Sequence, residues 1–327
     1  MQKEQVAFLG PKGTYSHQAA LQQFPDESKY DFKPVSTIPE CFENLLYDSK
    51  ISYCIVPLEN STNGQVVFTY DLIRDVFKSG RGGESNELLA SSKYKNRKIP
   101  PITIVGEQYV KIEHCLMTAN KEIAAEHDSN EYVNLYSHPQ VWGQVTEYLQ
   151  EKLKGKFLNR IDCKSTSEAM IKCKEDAENG IKSLAIGSIT GSKINNCVVI
   201  DQGINDQKGN TTRFLTFSKK NRNMEIPVNV EDAEKEGNIT LLTFTTLRDG
   251  PGSLVDVLNI FQKHNINMTS ISSRPIGVSG NWQYIFYVEY EYDHKLPWKE
   301  EILSEIDARC LTWAMWGVFQ RNNDYYN

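Results

Sequence analysis

"VAFLGPKGTYSHQAALQQF", residues 6 to 24, compresses an apolar run, a polar turn and an amphipathic helix into one segment. Val6 to Gly10 has strand length. After the Gly-Pro-Lys-Gly turn, Ala20, Leu21 and Phe24 fall on one face of a helix whose N-cap is read as Ser16. Strand, turn and helix in that order make the unit of an α/β sheet, and the chain repeats it. A second helix starts at Thr37, which forms a capping box with Glu40 and turns Phe42, Leu45 and Leu46 inward. "ISYCIVP" reads as the next strand, and a third helix carries Val66, Tyr70, Ile73 and Phe77 before stopping at Gly80.

The alternation resumes at Ile102 with "YVNLY", a helix from Ser137, a strand near 157–162, a helix from Ser165 capped by Glu168, then "SLAIG", "CVVID" and "TRFLTF". Two such runs predict two lobes, about 1–105 with 197–217 and 106–196. Between them, residues 79–100 are rich in Gly, Ser and Lys without periodicity, which predicts a mobile surface insertion with no chemistry. Residues 218–237 are charged and aperiodic and read as a linker. From 238 to 327 the order is β-α-β-β-α-β, a ferredoxin-like unit with Leu254, Leu258 and Phe261 on its first helix.

The 327 residues exceed a single core, and 36 basic against 42 acidic residues give a net charge of −6. No Lys/Arg-rich block is present to steer a polyanion, so nucleic acid is discounted. The apolar patch before Pro11 is too short for a signal or membrane segment, and a cytoplasmic location is expected. Seven scattered cysteines without a C-x-x-C pair predict reduced, packed thiols, and six histidines without ligand spacing predict no metal. The sequons at Asn60, Asn210, Asn238 and Asn267 read as chance or structural matches.

Four polar clusters share one grammar: "GPKGTYSHQA" (10–19), "PLENSTNGQV" (57–66), "YSHPQVWGQ" (136–144) and "GNTTRF" (209–214). Each puts hydroxyls and amides after a strand, where backbone N–H groups and helix dipoles favour an anion. Together they suggest a small organic polyanion gripped by neutral donors. The first cluster matches neither nucleotide signature, and Pro11 removes a donor such a cradle needs. Simpler readings stand beside these. Thr37 and Ser165 read as caps, Ser137 with Gln140 fits a capping box as well as a ligand site, and Asn63-Gly64 fits a tight turn. His17 and His138 read as structural.

With the four clusters in this order, the sequence resembles the prephenate dehydratase family over nearly its whole length. Residues 6–217 are similar to the catalytic domain and 238 to about 320 to its ACT regulatory domain. The resemblance implies an α/β fold: a two-lobed, periplasmic-binding-protein-like (type II) catalytic domain with a ferredoxin-like βαββαβ ACT domain. It implies a hydro-lyase of phenylalanine biosynthesis that strips CO2 and water from prephenate to leave phenylpyruvate, without metal or redox cofactor. By the same resemblance Thr212 helps the hydroxyl leave, with Asn60 and Gln140 as further catalytic candidates. Glu59 is the catalytic candidate that chemistry alone would choose, since a carboxylic acid is a better proton source than a threonine. Thr14, Ser16, Ser61, Gly64, Ser137, Arg213 and Phe214 are implied in substrate binding. "GSLV", Gly252, Ser253, Leu254 and Val255, with "SSRP", Ser272, Ser273, Arg274 and Pro275, is implied to bind phenylalanine between paired subunits of a homodimer or tetramer. Ser272 stands where the family carries Glu. Arogenate dehydratase and a non-catalytic carboxylate sensor are the rival readings.

Overall fold

The computed structural model describes residues 3–79, 94–121, 124, 131–219, 235–276 and 283–322. The chain divides into two compact units, one of Met1–Cys41, Ile55–Gln65 and Tyr109–Phe214, the other of Phe42–Cys54, Val66–Gln108 and Leu215–Asn327. The first contains two α/β sheets. Its larger sheet has the order β2-β1-β3-β11-β5, from Tyr30–Val35, Glu4–Leu9, Ile51–Asn60, Thr211–Lys219 and Ile102–Lys111, with the short β4 (Gly64–Gln65) paired to β3. Strands β3, β5 and β11 continue into the second unit.

β1 and β2 are parallel, joined by α1 (Tyr15–Gln23), as a buried run of Val6, Ala7 and Phe8 requires. The helix is capped by Thr14, whose Oγ1 accepts from His17 N at 3.3 Å, rather than by Ser16. The cap falls two residues earlier because Gly13, at φ +91°, ends the turn there. That turn is pinned: Ser167 Oγ donates to Lys12 O at 2.5 Å and Ser188 Oγ to Gly13 O at 2.8 Å. The capping boxes at Thr37 and Ser165 form as the sequence predicts, with Glu40 N and Glu168 N donating to their hydroxyls at 3.2 and 3.0 Å.

The second sheet has the order β10-β6-β9-β7-β8, from Val198–Gln202, Cys115–Thr118, Ser183–Gly187, Tyr132–Ser137 and Phe157–Asp162. β7 runs parallel to β8 and β9, whereas β6 and β10 are antiparallel additions. The return to the first sheet was expected near residue 197. Because β10 pairs with β6, it follows Gln202 instead. The helix expected from Ser137 is two short ones, α4 (Pro139–Trp142) and α5 (Thr146–Lys152), followed along the chain by α6 (Thr166–Glu178) and α7 (Ile189–Asn195). The cap of α4 is His138, not Ser137, whose hydroxyl turns into the sheet to donate to Ile186 O at 2.9 Å.

In the second unit, α2 (Ile38–Tyr47) begins in the first and continues, α3 (Val67–Ser79) buries Tyr70, Ile73 and Phe77, and a four-stranded antiparallel sheet has the order β13-β14-β12-β15. These strands are Met268–Pro275, Tyr284–Tyr292, Asn238–Thr246 and Cys310–Gln320. α8 (Ser253–Lys263), a π turn (Trp298–Ile302) and α9 (Leu303–Arg309) complete the ferredoxin-like order. Of the expected insertion, 80–93 lies outside the described residues, as do 220–234 of the linker. Residues 94–100 are not a surface loop. Tyr94 joins the core of Phe244, Phe261 and Trp313, and Arg97 is buried 5.3 Å from the Trp313 ring. Lys98 N donates to Trp313 O at 2.7 Å, and Asp307 accepts from Asn96 N at 2.9 Å and Trp313 Nε1 at 2.8 Å. Alternation along β15 brings Gly317 against β5, where a Cβ would lie 2.2 Å from Ile104 O. Six of the seven cysteines are buried and none is in a disulfide.

Phe8 stacks on His17 at 4.8 Å, and His17 Nδ1 accepts from Gly13 N at 3.1 Å. Burial, then Lys12, pushes its pKa down from 6.5 to about 4. The unfolded chain therefore binds more protons between those values, and stability falls as pH drops through them. Denaturant titrations from pH 7 to 4 should show this loss, at most about 1.4 kcal/mol per pH unit for one proton, with a shallower slope in His17→Asn.

Candidate active site

Asn60 ends β3 and decides the geometry around it. Its Oδ1 accepts from Thr62 N at 3.0 Å and Asn63 N at 2.9 Å. Backbone N–H groups can only donate, so the amide has one orientation, with its NH2 facing β11. There Nδ2 donates to Asn210 Oδ1 at 2.7 Å and Thr212 Oγ1 at 2.9 Å. Two consequences follow. Asn210 has its oxygen committed, so its own NH2 is left to donate; Thr212 already accepts at Oγ1, so its hydroxyl proton is available to a third group. Ser61 closes the same seam: its N donates to Thr211 O at 2.8 Å and its Oγ accepts from Thr211 N at 2.9 Å. Gly64, at φ +74°, lets β4 fold back so that Asn60 stands opposite it.

Successive side chains of a strand point to opposite faces. Asn60 and Thr212 thus share one face, and Glu59 and Arg213 the other. Arg213 is 5 % exposed and its Nη1 lies 3.0 Å from Glu59 Oε1, with the guanidinium 5.9 Å from the Tyr109 ring. Each offsets the other's charge. Phe214 is fully packed in the sheet.

A cavity of about 550 Å³ opens beside this seam, lined by Thr62, Asn63, Gln140, Gly143, Gln144, Asn205, Asp206, Gln207 and Asn210. Six of these nine are carboxamides, and among the described residues no lysine or arginine lines it. Asp206 is already engaged, accepting from Thr146 N at 2.7 Å and Glu147 N at 3.0 Å. Asn205 spends both ends on backbone, accepting from His114 N at 2.7 Å and donating to Ile112 O at 3.1 Å. Gln140 is exposed on α4. The cavity is thus lined mainly by neutral amides, with that of Asn210 oriented by Asn60. Of the expected site residues, Gln140 lines it; Thr212, Asn60, Ser61 and Gly64 lie in the adjoining seam, Glu59, Arg213 and Phe214 lie elsewhere on the strands, and Thr14, Ser16 and Ser137 do not line it, with Thr14 and Ser137 serving the helix cap and the sheet. Motif reading missed the other eight lining residues: Thr62, Asn63, Gly143, Gln144 and Asn210 fall inside the quoted clusters without being singled out as ligands, and Asn205, Asp206 and Gln207 lie outside them.

The sequence matches the prephenate dehydratase family over residues 6–222 and the ACT domain family over 240–291. The chain belongs to the prephenate dehydratase family. It is 44 % identical to a protein of Saccharomyces cerevisiae named probable prephenate dehydratase, over 98 % of each chain. Its fold is similar to the crystal structure of prephenate dehydratase in complex with L-Phe from Arthrobacter aurescens, with a TM-score of 0.70, 19 % identity and coverage of 98 % of this chain and 90 % of that one. It is equally similar, at 0.70 and 21 % identity over 99 % of each chain, to GqqA, described as a quorum quenching acylase. A fold shared at such identity carries no activity by itself.

The ACT domain presents the second set of expected residues. Gly252, at φ +84°, caps α8, and Ser253 is buried with its Oγ unpaired among the described residues. Leu254 is half-buried and Val255 is 53 % exposed. On β13, Ser272 is buried, while Arg274 grips Asp71 of α3 through Nε–Oδ1 at 2.9 Å and Nη2–Oδ2 at 3.2 Å. Arg74 donates to Asp71 at 2.9 Å and to Pro275 O at 3.2 Å. Among the described residues, metal-ligand side chains cluster at His264, Glu301 and Glu305, where Glu305 already accepts from Lys263 at 2.6 Å and His264 at 3.1 Å. No described helix is long and apolar enough to cross a membrane.

Proposed function

We propose that the chain converts prephenate to phenylpyruvate, carbon dioxide and water, with the cavity beside Asn60 and Thr212 as its active site. What carries this reading is the direction of the Thr212 hydroxyl. Decarboxylation sends an electron pair into the ring as the C–O bond to the departing hydroxyl breaks, and one proton is taken up to complete water. Charge develops on the leaving oxygen. A donor fixed beforehand toward that charge lowers the barrier without reorganising, an effect worth about 10² to 10³ in rate for one such hydrogen bond. Thr212, held as an acceptor toward Asn60, has that proton to give. Asn210 and Gln140 are placed to hold the carboxylates. Glu59 is paired with Arg213 on the opposite face, which favours a supporting role over acid catalysis.

Purified protein should release phenylpyruvate from prephenate. Thr212→Val and Asn60→Asp should each lower kcat by about 10² or more while the fold is kept. The aspartate keeps the acceptor for Thr62 and Asn63 but turns the Thr212 proton inward. Wild-type kcat in either variant would refute the role. The same assay with arogenate sets the substrate preference; prephenate is expected to be the better of the two.

The ACT domain supports feedback inhibition by phenylalanine in a homo-oligomer. Ser253 is buried, with its Oγ unpaired among the described residues, at the effector motif, and β13 is an edge strand with Ile271 half exposed. Sedimentation at assay concentration should give a dimer or tetramer. The Asp71–Arg274 pair links that motif to α3, which begins two residues after Gln65. Asp71→Asn should therefore leave turnover and phenylalanine binding in place and weaken inhibition severalfold, read as a gap between the binding isotherm and the inhibition curve.

A further inference from the structure

Asp206 is the one charged residue among the described lining of the cavity, and its sign is wrong for a dianion. It lies on the 203–210 segment that runs from β10 to β11. Both of its oxygens are taken, Oδ2 by Thr146 N and Oδ1 by Glu147 N, 60 and 59 residues away along the chain, and its own N donates to Gln144 O at 2.8 Å. The first N–H groups of a helix find no partner inside it. α5 does not supply one locally, because Val145 holds its N-cap position and makes no side-chain hydrogen bond. Asp206 fills that place from a distant loop. The rest of the loop is fastened elsewhere: Asn205 spans His114 N and Ile112 O, and Ile112 N donates to Asn210 O at 2.8 Å.

We propose that Asp206 is a positioning residue that sets the spacing between the wall carrying Gln140 and the wall carrying Asn210; this rests on the functional reading above, in which those two amides hold the carboxylates. Residues from 140–144 and from 205–210 both line the cavity, and Asp206 joins the two stretches. A carboxylate suits the task because two donors need two acceptor oxygens, and hydrogen bonds to an ionised acceptor are about twice as strong as neutral ones. The same N–H dipoles offset its charge, which lessens the repulsion a dianion meets. The Thr212 hydroxyl is directed separately, by Asn60 and the N–H groups of Thr62 and Asn63. The tie therefore acts on substrate binding rather than on departure of the hydroxyl.

Steady-state kinetics with prephenate, joined to amide hydrogen exchange, give this role a sign of its own. Asp206→Asn keeps the shape of the side chain, but its single oxygen meets one N–H group and its NH2 faces the other. It should raise KM about tenfold with kcat within about twofold, as for one lost hydrogen bond to a charged group. Exchange at Thr146 and Glu147 should quicken while that of β7 and β9 stays as in the wild type. Were Asp206 only a charge opposing the substrate, the same variant would lower KM. Asp206→Ser, with one acceptor on a shorter side chain, should raise KM at least as far, and it serves if the asparagine variant does not fold. Unchanged or lowered KM, or unchanged exchange at 146–147, overturns the positioning role. So does a fall in kcat with faster exchange throughout β7 and β9, which marks a loosened fold. With wild-type turnover intact, such results leave the functional reading standing; absence of wild-type turnover removes both.

Discussion

Two backbone N–H groups, those of Thr62 and Asn63, settle the polarity of the candidate site. They admit only an oxygen, so the Asn60 amide cannot flip, and everything downstream inherits its direction. Asn210 and Thr212 lie 150 and 152 residues away along the chain yet are oriented by that one side chain. Side-chain amides and hydroxyls can usually reverse roles at little cost. Here the hairpin removes that freedom, and the donors are arranged before any ligand arrives.

Among the described residues no cation lines this cavity, and there is a physical reason for that. An arginine facing an enclosed cavity is a desolvated charge whenever the ligand is absent. Arg213, the cation of the "TTRF" motif, is instead neutralised by Glu59 behind the strand. Neutral dipoles carry a smaller desolvation penalty in the empty state and still favour negative charge. The arrangement also relies on rigid support. The Gly13 turn has its carbonyls tied by Ser167 and Ser188, and a Cβ at Gly13 would meet Ser167 Oγ at 2.7 Å.

Much of this was legible because it is local. Strand-turn-helix alternation, the Thr37 and Ser165 boxes and the βαββαβ order all follow from spacings of a few residues. The seam between "PLENST" and "GNTTRF" could be named as two motifs but not joined, since the joining bonds span the chain. Ser137 shows the limit at close range. Its spacing to Gln140 fits a cap, yet a sheet carbonyl, Ile186 O, competes for the same hydroxyl, and His138 supplies the cap. The pairing of Glu59 with Arg213 likewise depends on which strands are neighbours, which periodicity alone does not reveal. Residues 94–100 misled for the same reason: a lone Tyr and Arg among lysines form no pattern, and only Trp313 and Asp307 give them a place.

That docked segment changes what the ACT domain is. Compact in space, it is discontinuous in sequence, because Tyr94 joins its core, Arg97 is buried against Trp313 and residues 96–98 pair beside β15. A chain severed in the linker would leave each fragment with half of a shared interior: an orphaned tyrosine and guanidinium on one side, an uncovered indole on the other. The regulatory module of this protein is accordingly not a detachable cassette, and grafting it onto another catalytic domain would require carrying the 94–98 strap along.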